Sequence, residues 1–187
     1  MKGRSKTASS VRILAGRWRG RRLDVPRNAR PTSGRAREAL FDILQGTVVG
    51  GRVLDLYAGS GAVGLEALSR GAAAAVFVET DHEALDANLA RCAPAAESVQ
   101  VIGADARRAI DRLAREERFF DLVFADPPYS RGVSALTESI GQLVAPGGRL
   151  VLQTDADREA PEIAGFSEPQ RRAYSRNVFW IYERTGL

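Results

Sequence analysis

The chain has 187 residues, 44% hydrophobic and 27% charged, the balance of an ordinary globular domain with room for one sizeable core. No apolar run approaches the roughly 18 residues that a membrane span needs, and one cysteine, Cys92, with one histidine, His82, excludes an internal disulfide and argues against a Cys/His metal site. The net charge of +4 is unevenly spread: residues 1–37 hold twelve Lys/Arg against one acid, Asp24, a net +11, and the remainder is −7. Such a split points to a polyanionic partner gripped by the N-terminal arm, with a solubilising tail as the alternative.

In chain order, Met1–Ser10 is basic and polar with no signal-peptide-type apolar stretch, and is expected to be a disordered tail of a cytoplasmic protein. Val11–Ala15 and Arg21–Val25 read as two short strands joined through Gly16-Arg17-Trp18-Arg19-Gly20, a small hairpin with a basic face. After a linker at Pro26–Pro31, Thr32 or Ser33 can cap a helix from about Arg35 to Leu44. Strand and helix then alternate: strands at Val53–Tyr57, Ala75–Glu79, Val99–Gly103, Phe120–Ala125 and Arg149–Gln153, with helices following Gly64 to Arg70, then at Ala84–Arg91, Ala106–Arg115 and Ala135–Leu143. These strands are continuous apolar runs, as in a parallel sheet covered on both faces. Arg171–Tyr174 and Asn177–Glu183 read as an antiparallel hairpin on the sheet edge. The expected fold is therefore α/β, Rossmann-like and mostly parallel. Its expected division is a tail over 1–10, an arm over 11–45 and a catalytic domain over 46–187, and deletion of residues 1–33 is expected to leave the sheet folded.

Asp55-Leu56-Tyr57-Ala58-Gly59-Ser60-Gly61-Ala62-Val63-Gly64 follows a strand and opens a helix, and Glu79 stands 18 positions after Gly61 at the tip of the next strand. Glycines let the backbone approach a ligand, and a carboxylate at that tip suits ribose hydroxyls. A dinucleotide would put its pyrophosphate on the helix N-terminus. Asp55 inside the strand end would repel it, and instead suits a ligand with an ammonium and a sulfonium, such as S-adenosylmethionine. The candidate cofactor residues are Asp55, Tyr57, Ala58, Gly59, Ser60, Gly61, Gly64, Glu79, Thr80, Asp105 and Ala106. Asp105 is placed either to accept from an adenine amino group or to cap the helix after it, and the two roles are compatible.

Asp126-Pro127-Pro128-Tyr129 ends the fourth strand of the series. Consecutive prolines cannot continue a central strand and fix a rigid turn. An exocyclic amino group on a base is a poor nucleophile, because its lone pair is delocalised. The Asp126 carboxylate and the Pro127 carbonyl can hold both amino hydrogens and turn the lone pair toward a methyl donor, while Tyr129 offers a flat face to an extruded base. These four residues are the candidate catalytic set.

The cofactor loop resembles motif I of class I methyltransferases, and the tetrapeptide resembles motif IV, [D/N/S]-P-P-[Y/F/W], of amino-group methyltransferases. With Arg12 to Pro26, Arg30-Pro31-Thr32-Ser33-Gly34-Arg35-Ala36-Arg37-Glu38 and Ala58 to Gly71, the chain from about Val11 to Glu183 resembles the bacterial 16S ribosomal RNA guanine-N2 methyltransferase family, the small-subunit methyltransferase D type. The resemblance implies a seven-stranded sheet, S-adenosylmethionine as cofactor, no metal, and methylation of guanine 966 at N2. It implies as partner 16S rRNA or the assembling small subunit, with no membrane association and a monomeric enzyme. The basic hairpin face offers Arg17, Arg19, Arg21 and Arg22 as RNA contacts, and the resemblance adds Arg30, Pro31, Thr32, Arg35 and Arg37, with Arg30, Pro31 and Thr32 closing over cofactor and base. Gly34 stands where the family has Asp, leaving Ser33 as the cap. A DNA N6-adenine methyltransferase and a non-catalytic nucleic-acid-binding module remain alternatives. The 58 residues after Tyr129 leave little room for the recognition domain that the DNA enzyme would need.

Overall fold

A computed structural model describes residues 10–26, 32–127, 133–154, 159–174 and 177–185. It opens with a small antiparallel hairpin, β1 (Ser10–Arg12) and β2 (Arg22–Asp24), joined through a 3-10 turn at Gly16–Trp18. Helix α1 (Gly34–Val48) follows. Then come β3 (Arg52–Leu56), α2 (Ala62–Ser69), β4 (Ala74–Val78), α3 (Glu83–Cys92), β5 (Val99–Ile102), α4 (Ala106–Arg115), β6 (Phe120–Ala125), α5 (Val133–Gly141), β7 (Val144–Thr154), β8 (Gln170–Tyr174) and β9 (Asn177–Glu183).

Seven strands form one sheet in the order β5-β4-β3-β6-β7-β9-β8; β5 to β7 are mutually parallel, and β9 and β8 are antiparallel additions. The α/β architecture, sheet and C-terminal hairpin are as expected. The chain leaves β3 toward β4 and β5, then crosses back to β6 on the other side of β3. The carboxyl ends of β3 and β6 therefore flank a switch in strand order, the place where open α/β sheets bind ligands. Along each central strand alternate residues feed two cores. Val53, Phe77, Leu122, Phe124 and Val151 pack toward the hairpin, α1, α2 and α3. Leu54, Val76, Val123, Leu150 and Leu152 pack toward α4 and α5. Among the described residues no helix is long and apolar enough to cross a membrane.

Three of the boundaries that differ from the sequence expectation show what moved them. The first strand stops at Arg12 and does not reach Ala15, because the amides of Leu14 and Ala15 donate to the Glu66 carboxylate (2.8 and 3.0 Å) in place of a strand partner. Strand β7 begins at Val144, not Arg149: Val144 pairs with Phe120, and the register then jumps to Leu122–Arg149, so 145–148 bulge outward with Gly147 at φ +72°. Helix α5 ends at Gly141, and beyond it the Leu143 carbonyl accepts from the Phe120 amide at 2.8 Å.

The hairpin shares a core with the sheet. Ile13, Trp18 and Leu23 are buried in the same cluster as Val53, Leu65 and Phe77, and α1 runs through the expected 45/46 division. Ser69 on α2 accepts from the Trp18 amide (2.9 Å) and donates to the Ala15 carbonyl, and buried Asn88 on α3 both accepts from and donates to the Asp24 backbone at 2.8 Å. Removing residues 1–33 would strip these partners from α2 and α3.

Candidate active site

The loop after β3 is shaped by two close approaches. Gly64 lies on β4: a Cβ there would stand 2.3 Å from Phe77 Cε1, so only glycine lets α2 pack this near. That proximity brings the Gly64 amide to Asp55 Oδ2 at 2.8 Å. Gly59, at φ +55°, has open space where a side chain would stand, and the preceding Tyr57 holds φ 60° despite its side chain. A non-glycine residue in that region costs about 1–3 kcal/mol, the kind of strain retained at ligand-binding turns. Asp55 is 2% exposed. Burial pushes its carboxyl up to about 8; the Gly64 hydrogen bond opposes this, and the Glu79 and Asp126 carboxylates add to it.

Glu79 sits just past the end of β4, half-buried. It accepts from the Gly59 amide (2.8 Å) through Oε2, and from the Thr80 amide (2.8 Å), Thr80 hydroxyl (3.2 Å) and Asp81 amide (3.2 Å) through Oε1. It thereby ties the glycine loop to the neighbouring strand tip; Thr80 is exposed beside it. The same loop is pinned from α3, where Asn88 donates to the Ser60 carbonyl at 2.9 Å. Gly61, at φ +71°, turns the chain into α2, and Ala58 is buried under the loop. Asp105 caps α4, accepting from the Arg107 amide at 3.0 Å, so the capping alternative is realised. Ala106 is buried in the core cluster that also holds Ile102 and Ile110.

Asp126 directly follows β6. Ala125 pairs with Leu152, so Asp126 falls beside Gln153 on β7. The Gln153 amide nitrogen donates to Asp126 Oδ2 at 2.9 Å, and the Gln153 oxygen accepts from the Thr32 hydroxyl at 2.7 Å. Pro127 is buried. Pro128 and Tyr129, like Arg30 and Pro31, lie outside the described residues. The structure thus brings Asp55, Glu79 and Asp126 to adjacent strand ends with Thr32 above β7. Asp105 is at the tip of β5, two strands from β3.

Of the arm's arginines, Arg17, Arg19, Arg21, Arg22 and Arg35 are exposed. Arg21 and Arg22 are braced by α3: Arg21 donates to the Arg91 carbonyl, and Arg91 donates to the Arg22 carbonyl (2.9 Å) and pairs with Asp24 (2.7 Å). Arg37 is the correction. It is 1% exposed, its guanidinium donates to the Arg12 and Thr32 carbonyls, and it pairs with Glu66 at 3.7 Å. Helical spacing carries it to the sheet side of α1, where it cannot reach RNA. Ser33, not Gly34, caps α1, accepting from the Ala36 amide at 3.3 Å. Sequence reasoning missed Glu66, Asn88 and Gln153. Their signal is a polar residue inside an otherwise apolar run: Glu66 in Ala62–Ser69, and Gln153 after Leu150-Val151-Leu152.

The family described as "conserved hypothetical protein 95" matches residues 11–183. Over 188 residues the chain is 35% identical to ribosomal RNA small subunit methyltransferase D of Escherichia coli (strain K12), covering 95% of this chain and 91% of that protein. It is 34% identical over 185 residues to the putative rRNA methyltransferase YlbH of Bacillus subtilis (strain 168), covering 94% of this chain and all of the other. The solved structure of the putative methyltransferase yhhF from Escherichia coli superposes with a TM-score of 0.81 at 34% identity, covering 96% of this chain and 100% of that one. The chain belongs to the small-subunit ribosomal RNA methyltransferase D family. The fold is therefore that of a methyltransferase, as motifs I and IV implied. The site fits the cofactor of that class, S-adenosylmethionine, in two respects. Gly59 leaves room for close approach, and buried Asp55, with the Glu79 and Asp126 carboxylates near it, forms a rim suited to a ligand bearing an ammonium and a sulfonium.

Proposed function

We propose that this protein transfers a methyl group from S-adenosylmethionine to the exocyclic N2 of one guanine of 16S rRNA, position 966 by resemblance. The observation that carries the reading is the Asp126 carboxylate beside the Asp55–Glu79 rim: an amino-group acceptor next to a cation-binding edge. When bound, the cofactor supplies an electrophilic methyl group on a sulfonium. Asp55 faces the cofactor's positive charge, and Asp105 receives the adenine amino group. Glu79 accepts the ribose hydroxyls, which compete with the Thr80 hydroxyl and Asp81 amide, the longest of its four hydrogen bonds. Asp126 and the Pro127 carbonyl each accept one hydrogen of the guanine amino group, orienting its lone pair, and Tyr129 stacks on the extruded base. As nitrogen bonds carbon it becomes strongly acidic, so Asp126 or water takes the proton.

The exposed arginines at 17, 19, 21, 22 and 35, with Arg30, Pro31 and Thr32, form the proposed RNA-binding arm, its grip mainly on phosphates. Residues 11–45 supply this arm, and 46–187 the chemistry. The enzyme works as a cytoplasmic monomer on 16S rRNA or the assembling small subunit. The test is to incubate it with labelled S-adenosylmethionine and undermethylated small subunits, free rRNA or DNA, and to identify the modified nucleoside. N2-methylguanosine from one rRNA site is expected. N6-methyladenine in DNA, or no product with any of the three, would overturn the reading.

A further inference from the structure

We propose that Gln153 and Thr32 form a positioning relay that sets the plane of the Asp126 carboxylate, linking the start of α1 to the reacting edge; this rests on the role proposed above for Asp126. The geometry is directional. The Thr32 hydroxyl donates to Gln153 Oε1 at 2.7 Å, and Gln153 Nε2 donates to Asp126 Oδ2 at 2.9 Å. An ionised carboxylate only accepts, so the amide nitrogen must face Asp126, and the amide oxygen must then face a donor. Thr32 supplies that donor, and the two bonds fix the amide in one orientation. Gln153 is 2% exposed and Thr32 9%, so water does not readily replace either bond.

Placement explains why these residues do it. Gln153 follows Leu152, the register partner of Ala125, so the strand pairing itself aligns its side chain with the residue after β6. On its other side Gln153 pairs with Phe179 of β9, and Thr154 accepts from the Trp180 indole at 3.1 Å, which holds the end of β7 between two strands. Thr32 stands just before the Ser33 cap of α1, the helix that follows the basic hairpin. A carboxylate that must accept one particular amino hydrogen gains from a fixed plane, because misorientation of the nucleophile weakens in-line transfer.

The test uses the full-length protein with Gln153→Leu, Gln153→Glu, Thr32→Val, Thr32→Ser and Gln153→Leu/Thr32→Val, reading kcat, KM for RNA, calorimetric affinity for S-adenosylmethionine and the kcat–pH profile. Gln153→Leu is expected to lower kcat about tenfold, the scale of one hydrogen bond, with cofactor affinity within about two-fold. Thr32→Val should lower kcat less, Thr32→Ser should restore it, and the double variant should be no worse than Gln153→Leu. Gln153→Glu places a second carboxylate against Asp126, with Asp55 and Glu79 on the same edge. The pair then shares a proton, and the acidic limb of the kcat–pH profile moves to higher pH. This variant also serves if Gln153→Leu folds poorly. Wild-type kcat in Gln153→Leu, additive Thr32 and Gln153 effects, or an unshifted profile in Gln153→Glu would overturn the relay. Full turnover in Asp126→Ala would instead remove the proposed role of Asp126 itself.

Discussion

Glu66 and Asp55 are both buried carboxylates on the hairpin side of the sheet, and the protein satisfies them in opposite ways. Glu66, fully buried, accepts the Leu14 and Ala15 amides, pairs with Arg70 at 2.8 Å and faces Arg37 at 3.7 Å. Its charge is neutralised from within, and the result is mechanical: the hairpin is clamped onto α2. Asp55 receives one backbone amide, from Gly64, and among the described residues it forms no ion pair with Lys or Arg. Burial raises its proton affinity most, and its electrostatic neighbours, the acids Glu79 and Asp126, add to the rise. A carboxylate supplied with its own cations is structural. One held among other acids is in surroundings suited to a positive ligand.

That contrast can be broken by substitution, beginning with the largest effect. Asp126→Ala should lower methyl transfer by about 10²–10⁴-fold, with cofactor affinity within a few-fold, in single-turnover assays run beside calorimetry. Retained turnover would mean the rim is not the reacting edge. Glu66→Ala should destabilise the fold by about 3–5 kcal/mol in denaturant titration, since it leaves Arg37 buried and unpaired. A loss below 1 kcal/mol would deny the clamp. Glu79→Ala should weaken cofactor binding by about 1–3 kcal/mol by calorimetry, through the lost ribose contacts and the freed Gly59 amide. Unchanged affinity would restrict Glu79 to the loop. The smallest effect belongs to the arm: Arg19→Ala should reduce the slope of log RNA affinity against log salt by about 1, measured by filter binding, with kcat unchanged. An unchanged slope would take Arg19 out of the phosphate contacts.

The sheet was legible because its strands are unbroken apolar runs separated by glycine and proline, signals local to each segment. Asp55, Glu79, Asp105 and Asp126 were legible for the same reason: each stands at or beside a strand's carboxyl end, and the parallel sheet aligns such ends at one edge. What was not legible is what depends on contacts between distant segments. Arg37 lies in a basic segment and looks like its neighbours; only the packing of α1 on α2 turns it toward Glu66, 29 positions away. The arm's burial depends on Glu66, Ser69 and Asn88 meeting backbone groups of residues 14–24, which no local pattern announces. Gln153 meets Asp126 only through the β6–β7 register.

The claim that the rim is built to receive a cation is tested most directly by proton linkage at Asp55. Its carboxyl, pushed up to about 8, holds its proton at pH 7 in the ligand-free fold, while in the unfolded chain it ionises near 4. Stability of the ligand-free protein should therefore fall as pH rises from about 4 to about 8, because over that range the folded state binds the extra proton. A cationic ligand favours the ionised form and expels that proton. Calorimetry of S-adenosylmethionine binding at pH 7, in buffers of different ionisation heat, should show release approaching one proton, and Asp55→Asn should abolish it. Binding with no proton release at pH 7, and with affinity flat between about pH 6 and 9, would contradict the account.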